Sequence, residues 1–335
     1  MTGVGRNPRR TLRPVTTRKV VLFLTSKADV QAKRISHKLR KHNVSCFFLP
    51  PHQASHRSVT VEIGNSPETD ITQLLFPTYS RVSIHLGEVR SVYCPRPLGF
   101  VKGIQQDEVE EFVELEHEAA LDGALFSFLD SGECVWVNHP ISSRLASYKI
   151  LQLRLARQLG FKIPRTLFTN DVGALEKFYS SEGEIVAKVV NATPTTLPKR
   201  FIPTRLIGRE AVSKKSAIRV CPVQYQKFIH KDCDVRVNVI GSQVFATAIY
   251  STQIDGRVDI ESAVHKTHHL PHDIEERCQL YCRRLGLSYG AIDLLLSHGE
   301  YYFLEINPNG KWGWIEDRTK QPLADAFANL LLGRL

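Results

Sequence analysis

The sequence predicts an α/β protein in which an N-terminal α/β domain precedes two α+β units. Three observations carry this. Residues 20–49 read as strand, helix, strand; residues 142–190 alternate helices with short strands; and from about residue 218 the chain turns to long strands joined by tight turns. The composition is that of a folded chain, with 335 residues of which 42% are hydrophobic and 23% charged. That length suggests two or three domains. No run reaches the roughly 18 apolar residues of a spanning helix, and the N-terminus lacks the apolar core of a secretory signal, so no membrane partner is expected.

Residues 1–17 form a Pro- and Thr-containing tail, expected to be disordered. Arg6, Arg9, Arg10, Arg13, Arg18 and Lys19 stand there or just beyond it with no acid among them. Six of the net charge of +10 therefore sit at the N-terminus, leaving +4 for the body. A nucleic-acid reading would rest on that tail alone, and no nucleic-acid partner is expected.

The first domain spans 18–130. It opens with a buried strand at 20–24 (VVLFL), a helix at 28–42 and a second strand at 44–49. Short strands are expected at 59–63, 81–86 and 90–93. Asp107 then opens a helix to about Phe126, with Glu110 placed for a capping box. The central unit spans 131–215. Its chain leaves a strand at WVNHP (136–140), and Ser142 or Ser143 caps a helix that sets Leu145, Leu151, Leu155 and Leu159 near one face. Gly160 stops that helix, and Pro164 confirms the stop. A strand at 165–169, a helix capped by Asn170 and a strand at 184–190 (EIVAKVV) follow, and 191–207 reads as a polar loop or hairpin. The last unit, 216–335, holds strands at 234–240 and 243–251 about the turn Gly241-Ser242. Then come a helix at 271–285, with Pro271 in its first turn and Gly286 beyond its end, and strands at 289–296 and 301–306. The seven cysteines are scattered and lack zinc-ribbon spacing, which fits reduced thiols in a cytoplasmic protein.

The last hairpin, YGAIDLLLSHGEYYFLEINPNG, carries the sharpest signal. A turn centred on Gly299 sets Asp293 opposite Glu305, and Asn307 shares their face because strand side chains alternate. Like charges on opposed residues repel, and both acids sit in apolar strands, so they need a cation or a raised pKa. Magnesium takes oxygen ligands and is usually held by one or two carboxylates plus substrate phosphates. Asp293, Glu305 and Asn307 form such a set. An edge hairpin with solvent-facing acids, or a glycosidase-type acid/base pair, are the other readings; the second ignores Asn307 and the lysines.

Lys188 stands in the apolar strand IVAKVV, where it must meet an anion or turn outward. Lys149 precedes the leucine-rich helical face and reads by itself as a surface residue. Asp234, Arg236 and Asn238 alternate with valines, as an outer face or as the lining of a cleft. In a cleft Asp234 would accept ribose hydroxyls and Arg236 would hold a phosphate or developing anion. Gln226, Lys227, Phe228 and Ile229 just upstream could form a hinge that reads an adenine.

Their order resembles the ATP-grasp ligases. Lys149, Lys188, QKFI (226–229), DVR (234–236) and the D-x11-E-x-N of Asp293, Glu305 and Asn307 follow that family's pattern. The last triad is similar in spacing to the ribosomal-protein glutamate ligases. LGLSYGAIDLL, FLEINPNGKWGWIE, WVNHP, GFKIPRTLFTND and the Thr252-Gln253 pair most resemble the maturases of microviridin-type graspetides. The resemblance covers about 200 residues from about Asn138 onward, and the N-terminal domain is similar to a pre-ATP-grasp domain in outline.

The resemblance implies an ATP-grasp fold whose two α+β subdomains clasp ATP, with ATP and Mg2+ as cofactors. Lys149 and Lys188 would contact phosphates, the backbone of Lys227, Phe228 and Ile229 the adenine edge, and Asp234 the ribose. Asp293, Glu305 and Asn307 would hold magnesium. Arg236 would stabilise the acyl-phosphate region, and Arg257 would orient phosphate or substrate. The partner implied is a precursor peptide with a leader and an acidic, Thr-rich core, and 191–207 would form part of a leader groove. Relatives often dimerise, so a homodimer stays open. Two departures stand out: NATPTTLPKRF after Lys188 lacks the glycines that often cover phosphates, and Lys227 stands where glutamate is common. Addition of an amino acid to a peptide or metabolite, and a non-catalytic nucleotide- or peptide-binding module, are the competing functions.

Overall fold

The structure, a computed structural model, describes residues 20–50, 58–62, 71–76, 82–85, 88–95, 108–129, 134–190, 202–256 and 262–335. The basic tail over 1–17, Asp107, residues 191–201 of the expected loop, and Arg257 lie outside them.

The N-terminal sheet starts with β1 (Val20–Phe23), α1 (Val30–Arg40) and β2 (Ser45–Phe48). Asp29 caps α1 by accepting from the Ala32 N–H, and α1 buries Ala32, Ile35 and Leu39. Three strands follow as a separate antiparallel sheet: β3 (Ser58–Glu62), β4 (Ile71–Phe76) and β5 (Val82–His85). The sequence reading missed β4. Next come β6 (Val89–Tyr93), α2 (Glu108–Leu129) and β7 (Val135–Val137), and the parallel sheet has the order β2-β1-β6-β7.

The expected single helix after residue 140 is two, α3 (Pro140–Ala146) and α4 (Lys149–Gln158). His139, rather than Ser142 or Ser143, caps α3 by accepting from the Ile141 N–H, with Pro140 in the first turn. The break at Ser147 and Tyr148 rotates the expected leucine face apart: Leu155 is buried, whereas Leu145 and Leu151 are exposed. The central sheet then forms from β8 (Thr166–Thr169), α5 (Val172–Glu182), β9 (Ile185–Lys188), β10 (Arg205–Ile207), α6 (Arg209–Ser213), α7 (Lys215–Ile218) and β11 (Val223–Lys227), in the order β10-β9-β11-β8. Asp171, not Asn170, caps α5.

The remaining chain supplies β12 (Cys233–Ile240), β13 (Gln243–Tyr250), β14 (Val264–His268), α8 (His272–Arg284), β15 (Tyr289–Ser297), β16 (Glu300–Asn307), α9 (Gly313–Thr319) and α10 (Leu323–Leu331). The five strands form an antiparallel sheet in the order β14-β13-β12-β15-β16. One face packs on α4 and α8 through Val235, Val237, Val239, Ile292, Leu294 and Tyr281.

Strand pairing runs across the expected boundaries. β7 extends the N-terminal sheet past residue 130, and β11 completes the central sheet past residue 215. Helix α10 returns from the far end of the chain to pack with α1 on the N-terminal sheet, and Trp312 stacks on Phe327 with ring centroids 4.9 Å apart. Short local windows cannot show the α1–α10 contact, because it joins residues as distant as Lys38 and Asp325, 287 positions apart. Among the described residues no helix is long and apolar enough to cross a membrane.

Candidate functional site

Alternation in β12 builds the site. Val235, Val237 and Val239 are buried beneath the sheet, while Asp234 and Arg236 point from its other face into a cavity of about 810 Å³. The cavity lies between the central and C-terminal sheets. Lys149, Lys188, Gln226, Lys227, Phe228, Ile229, Asp234, Arg236, Asp293 and Glu305 all line it. Residues separated by more than 150 positions thus meet in one space. Asn307 does not line it; it is exposed and its Oδ1 accepts from the Asn309 N–H at 2.9 Å. Arg257 is outside the described residues.

Asp293 and Glu305 are a register pair of β15 and β16. The route differs from that expected. His298 and Gly299, both at positive φ, make the turn, and a register shift beside Asp293 then restores the pairing. Each acid meets a cation: Glu305 Oε2 lies 2.9 Å from Lys149 Nζ, and Asp293 Oδ1 lies 2.7 Å from Arg236 Nε. Lys149 is therefore no surface residue; its side chain is only 10% exposed. Helix α4 is held there by Gln152, whose amide nitrogen donates to the Ile306 carbonyl at 3.0 Å while its oxygen accepts from the Ile306 N–H at 3.2 Å.

Lys188 faces the cavity from β9, and its Nζ donates to Gln226 Oε1 at 2.8 Å. Gln226 Nε2 donates in turn to Thr166 Oγ1 at 2.9 Å, and Thr166 donates to the Pro164 carbonyl at 2.7 Å. This directed chain fixes the amide orientation and aims the lysine. Gln226 is thus buried support for Lys188. Two of the three backbone N–H groups expected near the adenine have main-chain partners. The Lys227 and Phe228 N–H groups already donate to the Arg165 and Glu184 carbonyls. Ile229 N–H makes no such bond among the described residues.

Asp234 pairs with Lys231. Burial pushes its carboxyl above the ordinary carboxylate range, Lys231 and Lys188 oppose that, and Asp255 adds to it. Sequence reasoning missed His265 and Trp314, which line the cavity with ring centroids 5.3 Å apart. Burial, then Arg318, holds the His265 imidazole below its ordinary range. Trp314 lay within the recognised GKWGWIE segment, but no pattern marked its direction. Gly310 admits the Arg236 guanidinium: a Cβ there would lie 2.5 Å from Ala291 Cβ and 3.4 Å from Arg236 Nη1.

The donor set suits a hard divalent ion. Two carboxylates oppose each other beside a cavity, already bracketed by cations, and no group of three or more His, Cys, Asp or Glu among the described residues is placed to hold a metal. Such a pair matches magnesium, which draws its remaining oxygens from phosphates and water.

No protein-family model and no curated protein matches the sequence. Solved structures do. Macrocyclase MdnB from Microcystis aeruginosa MRC is 30% identical with a TM-score of 0.76, over 94% of this chain and 99% of that one. Macrocyclase MdnC from the same organism, bound with precursor peptide MdnA, is 25% identical with a TM-score of 0.79, over 94% and 99%. A RiPP-associated ATP-grasp ligase of Chryseobacterium gregarium, in complex with ADP and a leader and core peptide, shares the fold at 24% identity with a TM-score of 0.80, over 95% and 97%.

Proposed function

This chain belongs to the ATP-grasp ligases, among the graspetide macrocyclases, and we propose that it forms ester or amide cross-links between Asp or Glu and Thr, Ser or Lys side chains of a ribosomally made precursor peptide. The observation that carries this is the single cavity that unites two lysines, an arginine and a facing pair of carboxylates.

The chemistry follows from those side chains. A carboxylate is a poor electrophile near neutral pH. Its oxygen attacks the γ-phosphorus of ATP, the bond to the β-phosphate oxygen breaks, and ADP leaves. The hydroxyl or amine then attacks the acyl phosphate, gives up its proton, and expels phosphate. Lys149 and Lys188 hold phosphates, and Ile229 N–H reads the adenine edge. Asp234 accepts from the ribose. Arg236 neutralises charge at the tetrahedral centre, and Arg257 orients phosphate or substrate, a role that rests on resemblance. Asp293, Glu305 and Asn307 would hold magnesium, which supplies charge neutralisation at the phosphates when bound.

An acidic, Thr-rich core is the substrate feature that the resemblance implies, and the cavity lysines and Arg236 are the groups an acidic side chain would meet. Exposed Ile141, Leu145, Tyr148, Ile150 and Leu151, on α3, α4 and the break between them, support a second copy as partner. The seven free cysteines fit a reducing cytoplasm. Incubation with ATP, Mg2+ and a Thr- and Asp-containing precursor, followed by mass spectrometry, tests the reading. Loss of one water per cross-link is expected; a mass gain would mean amino-acid addition instead, and an unaltered peptide without ADP release would support a binding module.

A further inference from the structure

Two segments without a role in that chemistry meet over the cavity. Residues 202–204 lead into β10 of the central sheet, and residues 251–256 leave β13 of the C-terminal sheet. Ile202, Thr204, Thr252 and Asp255 all line the cavity. The join between the segments is made by Asp255. The residue is 7% exposed, and its Oδ2 accepts from the Thr204 N–H at 2.8 Å. A hydrogen bond to an ionised acceptor away from water is of the strong kind. The same loop reaches Asp234: a Cβ built on Gly256 would lie 3.4 Å from Asp234 Oδ2. Asp255 also makes the Asp234 charge costlier, which makes it an expensive choice for mere loop filling.

We infer that Asp255 is a positioning residue that latches the segment before β10 to the loop over Asp234, and so sets the wall facing the ribose end of the nucleotide. This rests on the nucleotide reading of the cavity. The contact links the two sheets that bound the cavity, and it uses a main-chain donor, so its strength depends on the backbone at residue 204 and not on the threonine side chain.

Hydrogen exchange over residues 202–207 and affinity for a fluorescent ATP analogue test it, on full-length protein whose melting temperature is recorded. Asp255→Ala is expected to lower protection of that segment and to weaken analogue binding about tenfold, the loss of one charge-assisted bond. Asp255→Asn keeps an acceptor oxygen and is expected to restore most of both. Thr204→Pro removes the donor, and the double variant Asp255→Ala/Thr204→Pro is expected to be no weaker than either single. Unchanged exchange in folded Asp255→Ala, or additive losses in the double variant, would overturn the latch. Absence of analogue binding to the wild-type protein would overturn the nucleotide reading instead, while the exchange data still decide whether the latch exists.

Discussion

Lys149 Nζ stands 2.9 Å from Glu305 Oε2, and Arg236 Nε stands 2.7 Å from Asp293 Oδ1, so each carboxylate of the facing pair carries its own internal counterion. A nucleotide's phosphates compete for those cations, and a divalent ion competes for those acids. Metal and nucleotide should therefore enter together.

Lys149→Met tests this directly. With no nucleotide present, removing the cation is expected to tighten Mn2+ binding about tenfold, because Lys149 no longer competes with the metal for Glu305. The same change should weaken ATP binding. Electron paramagnetic resonance of free Mn2+ checks the first and a fluorescent nucleotide the second; weaker Mn2+ binding in the variant would contradict the counterion role.

Glu305→Ala is expected to abolish cross-linking and also to cost about 1–3 kcal/mol of stability, because it leaves the buried Lys149 ammonium unpaired. Relief of repulsion with Asp293 offsets little, since Arg236 already neutralises that acid. Glu305→Gln should lose activity at a smaller stability cost. Urea denaturation of the two variants separates the effects.

Asn138→Ala removes donors to the Tyr289 and Pro308 carbonyls, at 2.8 and 2.7 Å, and the acceptor of the Tyr289 N–H at 2.8 Å. The side chain is fully buried. A loss of about 2–4 kcal/mol is expected in denaturant unfolding, because main-chain groups at the start of β15 are left unsatisfied. A change below about 0.5 kcal/mol would show that the segment re-pairs on its own.

Thiol chemistry follows burial. Cys282 is pushed up to about 12 by burial, Cys278 is raised further for the same reason, and Cys221 is exposed. Both buried thiols stay protonated at pH 8, so a disulfide reagent should label Cys221 rapidly and spare Cys278 and Cys282 until the protein unfolds. Because their native pKa values lie above the ordinary thiol value of 9.0, the native state holds more protons than the unfolded chain above that pH. Their contribution to stability is complete below pH 9 and declines as pH rises toward 12. Rapid labelling of Cys278 in native protein would contradict this packing.

The terminal hairpin was legible because period-two alternation survives in apolar strands, and it named Asp293 and Glu305 together. The bulge was not, since the sequence does not show which of two turn centres is used. Lys149 looked like a surface residue because its partner lies on a strand near the other end of the chain. The α3–α4 break escaped because helical periodicity tolerates a two-residue interruption. The cavity-side residues Lys188 and Asp234 were found by polarity within apolar strands, whereas Asp255 gave no local signal at all: its partner is a main-chain amide from a different sheet.

Titration of Mn·ADP into wild-type protein and into the Asp293→Asn/Glu305→Gln variant bears most directly on the facing carboxylates as the metal–nucleotide grip. Affinity should fall at least about a hundredfold in the variant, while metal-free ADP binds the variant at least as tightly as the wild type, its phosphates no longer competing with the two acids for Lys149 and Arg236. Equal affinity of the two proteins for Mn·ADP would contradict the assignment of this cavity.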